Sequence, residues 1–291
     1  VYAEILRRLK SQGAEWVQLD EPALCLDLTP EQRAAFESAY KEIRQSAPEL
    51  KLLLATYFGN LRDNLKTAVQ LPVDAIQFDA VRAPHELERL LAELPTDKQL
   101  SLGVVDGRNI WRNDFERSLN LLRQAAKIVG AERLMVSPSC SLLHSPVSLK
   151  HETKLDLELK SWLAFAEEKL SEVGLLAKLV NQSGDSTALL ENRKAIASRR
   201  NSPRIHNSVV KSRAKAVSPA DLRRQSGFPA RRAKQQTRLN LPLFPTTTIG
   251  SFPQTEDVRV ARAKFKKGEL SAVDYEKFLQ QKTAECVRWQ E

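Results

Sequence analysis

Five short apolar segments alternate with amphipathic helical patterns over the first 150 residues, and this alternation constrains the fold most strongly. The predicted strands are residues 16–20, 51–57, 75–80, 100–105 and 133–136. The predicted helices are residues 1–10, 30–45, 60–70, 84–93 and 114–129. Strands that alternate with helices form parallel sheets, and mostly apolar strands are typical of a sheet covered on both faces. The pattern predicts an α/β fold, either a doubly wound sheet or part of a (β/α)₈ barrel.

Polar residues follow several of the predicted strands. No glycine-rich phosphate loop follows any of these strands, which weakens a nucleotide-binding interpretation. Asp20 and Glu21 are adjacent carboxylates that can bind a cation or a substrate amine, act as acid and base, or orient loops. Function at the carboxyl ends of several strands is typical of a barrel. Five units of this kind predict about three more before Val1.

Two further strand ends carry candidate groups. Cys140, with His144 nearby in sequence, is either a nucleophile or metal ligand or a small buried residue. The Asp106–Asn109 segment is either an anion site or an Asp-Gly turn stabilised by the aspartate side chain. The sequence alone leaves both alternatives open.

The net charge of +9 comes from one segment. Residues 183–240 contain fourteen Lys and Arg and three acidic residues, whereas the rest of the chain is slightly acidic. A nucleic-acid surface is one interpretation. The segment contains a single aromatic residue, Phe228, and so lacks interleaved rings for base stacking. We therefore predict a solvated linker with basic helices at 187–200 and 219–238, no nucleic-acid partner, and electrostatic attraction of an anionic small molecule. Before this basic segment, we predict a long helix at 151–181 with an apolar stripe that includes Leu170 and Leu176.

Composition limits the remaining classes. No run of 18 apolar residues exists, so we predict no membrane span. The three cysteines are sparse and the four histidines scattered, which favours a reducing, cytoplasmic location and gives no zinc motif. The sequence begins at Val1 and ends at Glu291 within a helical pattern, so we interpret it as an internal fragment of a longer protein, which we expect to be a monomer.

Residues 246–255 form the strongest ligand-binding candidate. They read TTTIGSFPQT, which predicts a strand, a Gly-Ser turn and a helix that begins after Thr255. Such a turn presents backbone N–H groups to an anion such as a carboxylate. Glycine permits close approach of a ligand to the backbone. Ile249, Gly250 and Ser251 are therefore the predicted binding residues.

Several longer segments, in the same order, resemble cobalamin-independent methionine synthase. They are residues 15–24 (EWVQLDEPAL), 52–58 (LLLATYF), 107–112 (GRNIWR), 139–146 (SCSLLHSP), 246–255 and 265–268 (FKKG). The resemblance implies two (β/α)₈ barrels face to face. It implies methyl transfer from 5-methyltetrahydropteroyltri-L-glutamate to the zinc-activated thiol of L-homocysteine, giving L-methionine. Ile249, Gly250 and Ser251 match the position that holds homocysteine.

The resemblance also implies how the chain is divided. Residues 1–182 would be the later units of the N-terminal barrel, 183–240 the connection between barrels, and 241–291 the start of the catalytic barrel. The zinc ligands would lie beyond Glu291, so we expect no catalytic residue and no metal ligand in this chain, and no activity of the chain alone. Tyr57, Gly59 and Cys140 match the duplicated positions of ligands, and we expect Cys140 not to bind zinc.

Three alternatives remain open. A single-barrel methyltransferase or a uroporphyrinogen decarboxylase-like enzyme would lack the basic connector followed by residues 246–255. A non-catalytic binding protein on the duplicated barrel would lack downstream zinc ligands. A nucleic-acid-binding connector would bind DNA with steep salt dependence.

Overall fold

The computed structural model describes residues 1–181, 186–247 and 250–291. The chain divides into two compact units, Val1–Ser212 and Arg213–Glu291. Within the described ranges, no helix is both long enough and apolar enough to cross a membrane.

A parallel five-stranded sheet forms the centre of the first unit. The strands are β1 (Trp16–Asp20), β2 (Lys51–Thr56), β3 (Ala75–Asp79), β4 (Gln99–Val105) and β5 (Leu134–Pro138). They pair in the order β1-β2-β3-β4-β5, each with its neighbour in sequence. The α/β class and all five predicted strands are confirmed, with differences of one or two residues at some ends. All carboxyl ends consequently lie along one edge.

Helices connect the strands and continue beyond β5. In the first unit they are α1 (Tyr2–Ser11), α2 (Pro30–Ser46), α3 (Leu65–Gln70), α4 (Leu87–Glu93), α5 (Phe115–Val129), α6 (Leu157–Ser161), α7 (Ala166–Val180) and α8 (Ser186–Asn201). Short 3₁₀ turns precede α3 and α4, at Arg62–Asn64 and Pro84–Glu86. Local sequence fixes several helix starts: Thr29 and Gln32 form a capping box on α2, and Asp114 caps α5.

The core lies between the sheet and its helices. Leu52, Leu54, Ile76, Phe78 and Leu100 are fully buried on the central strands. Each such side chain stabilises the fold by roughly 1.5–3 kcal/mol relative to an exposed position. The central strands are buried on both faces, as their continuous apolar character predicts.

The predicted single helix at 151–181 is wrong. The structure has α6 and α7 there, because residues between them leave the helical path and pair with the loop after β4. The N–H of Arg112 donates to the carbonyl of Trp162 at 2.8 Å, and the N–H of Ala164 donates to that of Ile110 at 2.9 Å. Backbone bonds across the chain thus replace helical ones.

The predicted buried stripe of α7 is also shifted. Leu176 is buried, but Leu170 is 59% exposed, and Lys169 and Glu172 are buried instead. The reason is the loop after β4, which supplies polar partners for these two charged side chains. A buried polar group is tolerated where it is hydrogen-bonded.

The described part of the second unit contains three full helices and a boundary helix. They are α9 (Ser208–Lys215), which crosses the division, α10 (Phe228–Leu239), α11 (Glu256–Lys266) and α12 (Ala272–Gln290). The predicted helix at 219–238 begins only at Phe228, because Gly227, with extended backbone, is the N-cap and Pro229 occupies the first helical turn. The rings of Phe265 and Tyr275 stack at 4.5 Å and join α11 to α12.

The strand predicted ahead of the Gly-Ser turn is not formed at its described positions. Thr246 and Thr247 have no regular secondary structure, and Thr248 and Ile249 lie outside the described residues. No partner strand within the described part of the second unit pairs with this segment, and an unpaired extended segment gains no ladder hydrogen bonds.

Candidate functional site

The carboxyl edge of the sheet gathers the polar residues that the sequence placed at strand ends. Asp20 ends β1 and accepts hydrogen bonds from two neighbours: the hydroxyl of Tyr57, and Nε2 of Gln18 at 2.7 Å. Burial and the Asp20 carboxylate raise the pKa of Tyr57. Tyr57 is therefore held neutral, and its hydroxyl acts as a donor to Asp20.

Glu21 points to a different partner. Tyr40, on α2, donates a hydrogen bond of 2.8 Å to Oε1 of Glu21. Burial raises the pKa of Glu21, and this bond partly offsets the effect. Asp20 and Glu21 thus bind separate tyrosines, which supports the interpretation that they orient loops rather than share one ligand.

Asp79 is the most buried carboxylate at this edge. It ends β3 and is 0% exposed. Its Oδ1 accepts from the N–H groups of Val81 at 3.1 Å and Arg82 at 3.0 Å, and its Oδ2 is buried without a partner. Burial raises the pKa of Asp79, against the opposing effect of the Arg82 hydrogen bond and charge. The carboxylate shapes the turn after β3.

The Asp106–Asn109 segment is a turn closed by its own aspartate. Oδ1 of Asp106 accepts from the N–H of Arg108 at 2.9 Å, and Oδ2 accepts from Nδ2 of Asn109 at 2.8 Å. This geometry favours the stabilised-turn alternative. Glycine is required at position 107, because a Cβ there would lie 2.8 Å from the carbonyl oxygen of Cys140.

Cys140 and His144 are not joined by a hydrogen bond within the described residues. Cys140 is 5% exposed and packs with Ala55, Tyr57 and Phe58. Burial raises the pKa of its thiol, which disfavours the thiolate that a nucleophile requires. The ring of His144 instead packs edge-on against Phe58 at 5.5 Å. The small-buried-residue alternative is therefore the better account of Cys140.

Two buried ionisable side chains behind this edge, Lys169 and Glu172, were missed in the sequence. Nζ of Lys169 donates to the carbonyl of Trp111 at 3.0 Å and to Oδ1 of Asn109 at 3.2 Å. Oε1 of Glu172 accepts from the N–H of Asn113 at 2.9 Å, and its Oε2 is buried without a partner. The three-residue spacing of Lys169 and Glu172 puts both on one helix face, but it is common on solvated helices and gives no specific signal.

The predicted ligand turn belongs to the second unit. Gly250 has a φ of +77°, and a Cβ there would meet no atom within 4 Å. Ser251 is exposed. Ile249 lies outside the described residues. The turn therefore uses the backbone conformation that favours glycine, with open space beside it.

A groove borders the start of α11 a few residues after this turn. It has a volume of about 380 Å³, and its lining includes Phe252, Pro253, Lys282, Cys286 and Trp289. Nζ of Lys282 lies 2.7 Å from Oδ2 of Asp257 and 2.8 Å from Oε2 of Glu285. The ammonium group is thus paired with carboxylates of both α11 and α12, and the groove is mainly apolar.

No three His, Cys, Asp or Glu side chains converge as a metal site in the described parts of the chain. Cys25, Cys140 and Cys286 are free thiols.

Sequence comparisons identify the family. The model described as "Cobalamin-independent synthase, N-terminal domain" matches residues 1–130, and the model described as "Cobalamin-independent synthase, Catalytic domain" matches residues 244–291. The chain belongs to the cobalamin-independent synthase family. The resemblance predicted from the sequence is confirmed, and the two matches lie in the order expected for a member with both domains.

Curated relatives of the family match the whole chain. Two of these relatives are proteins named 5-methyltetrahydropteroyltriglutamate–homocysteine methyltransferase. The protein from Xylella fastidiosa is 51% identical to this chain over 292 residues, and the protein from Rhodopseudomonas palustris is 51% identical over 295 residues. All of this chain is covered in both cases, against 38% and 37% of the relatives. The chain thus spans less than two-fifths of their length.

Solved structures of the family overlap with part of the chain. A putative vitamin-B12-independent methionine synthase from Listeria monocytogenes has a TM-score of 0.41 and 18% identity, over 64% of this chain and 53% of that one. A B12-independent methionine synthase from a Shewanella species, in complex with selenomethionine, has a TM-score of 0.42 and 18% identity, over 62% and 53%.

Proposed function

We propose that this chain is part of a methyltransferase that moves the methyl group of 5-methyltetrahydropteroyltri-L-glutamate to the sulfur of L-homocysteine, giving L-methionine. The observation that carries the proposal is the match of both family domains along one chain, in order. The names of the curated relatives state the two substrates. We place the protein in the cytoplasm as a monomer; its three free cysteines fit a reducing compartment.

Ile249, Gly250 and Ser251 are proposed to bind homocysteine. The positive φ of Gly250 and the open space beside it support this assignment, because a ligand can approach the backbone closely there. The exposed hydroxyl of Ser251 can donate to the carboxylate of an amino acid, a charge-assisted bond stronger than a neutral one.

Zinc does not fit the described residues of this chain, since no cluster of three or more His, Cys, Asp or Glu exists among them. At the positions that the resemblance matches to ligands in the duplicated half, Tyr57 bonds to Asp20 and Cys140 is buried. We therefore assign the zinc of the family to the part of the catalytic domain that the relatives contain and this sequence does not span.

A chimera tests the proposal. This chain replaces the matching segment of the Xylella fastidiosa relative, and methionine formation from the two substrates is measured. We expect turnover by the chimera and none by the chain alone. A chimera that folds, as judged by its thermal unfolding, but forms no methionine would count against the proposal. Turnover by the chain alone would contradict the predicted absence of catalytic residues.

A further inference from the structure

A cavity in the first unit opens beside the carboxyl ends of β3 and β4. It has a volume of about 190 Å³ and is bordered by Trp111, Arg112, Arg117 and Arg199. A water molecule occupies roughly 30 Å³ of liquid, so the space admits a carboxylate or phosphate group with some of its hydration water. The three arginines come from the loop after β4, from α5 and from α8.

The three guanidinium groups lack carboxylate partners. None has a carboxylate oxygen within 4.0 Å among the described residues. Arg199 instead lies 3.6 Å above the ring of Trp111, and burial lowers its pKa. Arg193, six residues earlier on α8, contrasts with it, because its Nη2 lies 2.6 Å from Oε1 of Glu116.

The carboxylates at the cavity have cations of their own. Asp106 lies 3.0 Å from Nη1 of Arg82, and Asp114 lies 3.9 Å from Nη2 of Arg200. The start of α5 also borders the cavity, and the amino terminus of a helix carries partial positive charge. The balance of charge in the cavity is therefore positive.

Glu172 is the remaining competitor for Arg112. It lines a second cavity that Arg112 also borders, and the charge of Arg112 lowers the pKa of Glu172. Because burial outweighs this effect and raises the pKa of Glu172 to about 7, Glu172 is only partly ionised at neutral pH. Arg112 is thus incompletely neutralised by it.

We propose that this cavity binds the carboxylate or phosphate group of a small anionic ligand through Arg112, Arg117 and Arg199. Guanidinium groups donate paired, parallel hydrogen bonds to such oxygens. Trp111 holds the Arg199 guanidinium in place before the ligand arrives, which reduces the entropy lost on binding. The site lies wholly within the first unit, whereas Gly250 and Ser251 belong to the second.

Titration calorimetry of the intact chain with two probes, inorganic phosphate and glutarate, tests the site. We expect saturable binding of at least one probe at concentrations up to about 10 mM, weakened as salt increases. Arg199→Gln and Arg117→Gln should each weaken it roughly tenfold, as expected for loss of one charged hydrogen bond. Arg117 is exposed, so its replacement should not affect folding.

Arg193→Gln is the matched control, because it removes an arginine of α8 that already has a carboxylate partner. Arg193→Gln should bind each probe with the same affinity as the wild type. The relative affinity for phosphate and glutarate identifies which oxyanion the site prefers. Absence of saturable binding of both probes, or equal affinity in Arg117→Gln, Arg193→Gln and the wild type, would overturn the proposal. Neither result depends on methyl transfer.

Discussion

The hydroxyl group of Tyr40 donates a hydrogen bond of 2.8 Å to Oε1 of Glu21, and this bond ties α2 to the loop after β1. Replacing Tyr40 with Phe should lower the free energy of unfolding by about 1–3 kcal/mol at pH 7, because a half-buried carboxylate loses its donor. The loss should be smaller near pH 4, where Glu21 is protonated. Urea unfolding at both pH values measures this. Tyr2→Phe, at a side chain 61% exposed, is the control; an equal effect of the two changes would contradict the prediction.

Glu172 should make the stability of the first unit depend on pH. Burial raises its pKa from 4.5 to about 7, so between these values the folded state holds a proton that the unfolded state releases. This contribution to stability is fully present below pH 4.5 and is lost as the pH rises through 7. At pH 8 the free energy of unfolding of Glu172→Gln should therefore exceed that of the wild type by up to about 3 kcal/mol, whereas at pH 4 the two values should be equal.

Glu191 supplies the control for the pH dependence of unfolding, because it is exposed and borders the same cavity as Glu172. Glu191→Gln should leave the pH dependence of unfolding unchanged. A wild-type stability that rises between pH 5 and pH 8, with no difference from Glu172→Gln, would show that the buried carboxyl is not the source.

Asn192 should hold α8 against the start of α5. Its Oδ1 accepts from the N–H of Phe115 at 3.1 Å, and its Nδ2 donates to the carbonyl of Asn113 at 2.8 Å. Asn192→Ala leaves one buried and one partly buried backbone group unpaired and should cost about 1–3 kcal/mol. Hydrogen exchange of α8 should accelerate, whereas Lys194→Ala, at an exposed position of the same helix, should leave it unchanged. Unaltered exchange in Asn192→Ala would refute this role.

Gly107 and Gly174 form a matched pair for packing. Alanine at position 107 would bring its Cβ to 2.8 Å from the carbonyl oxygen of Cys140, whereas at position 174, within α7, it would meet nothing within 4 Å. Gly107→Ala should destabilise the fold by about 1–3 kcal/mol, and Gly174→Ala should stabilise it by about 0.5–1 kcal/mol. Thermal unfolding compares them, and two shifts of the same sign would be the contrary result.

Ser251 should matter for homocysteine in the chimera with the Xylella fastidiosa relative. Ser251→Ala removes a donor to the substrate and should raise the KM for homocysteine about tenfold, with a smaller change in kcat. Gly250→Ala should reduce activity as well, since its φ of +77° strains any other residue by about 1–2 kcal/mol. Serine at position 271, the exposed cap of α12, supplies the control Ser271→Thr. Unchanged kinetics in Ser251→Ala would remove this residue from the site.

The sheet could be predicted from sequence because its strands are mostly apolar, above all the central strands β3 and β4, which are buried on both faces. The ends of the connecting helices followed from local caps such as Thr29 and Asp114. The break between α6 and α7 could not, because it depends on backbone pairing with residues about fifty positions earlier in the chain.

The candidate site was predictable only where short-range chemistry fixes it. The Asp106 turn depends on residues two and three positions away. At position 250 the glycine itself indicates a turn with positive φ. The bonds of Asp20 to Tyr57 and of Lys169 to Trp111 join distant segments. The lack of carboxylate partners for Arg112, Arg117 and Arg199 among the described residues has no sequence signal either, because ion pairing is decided by which carboxylates the fold brings near them.

Strand order has a consequence for how this unit is made. Among the residues that the structure describes, each of the five strands pairs only with its neighbours in sequence, so none of these five has to wait for a distant segment before it can join the sheet. Contacts between neighbouring segments shorten the search during folding, and chains emerge from the ribosome amino terminus first. The sheet can therefore be assembled one strand and helix at a time during synthesis, from β1 towards β5.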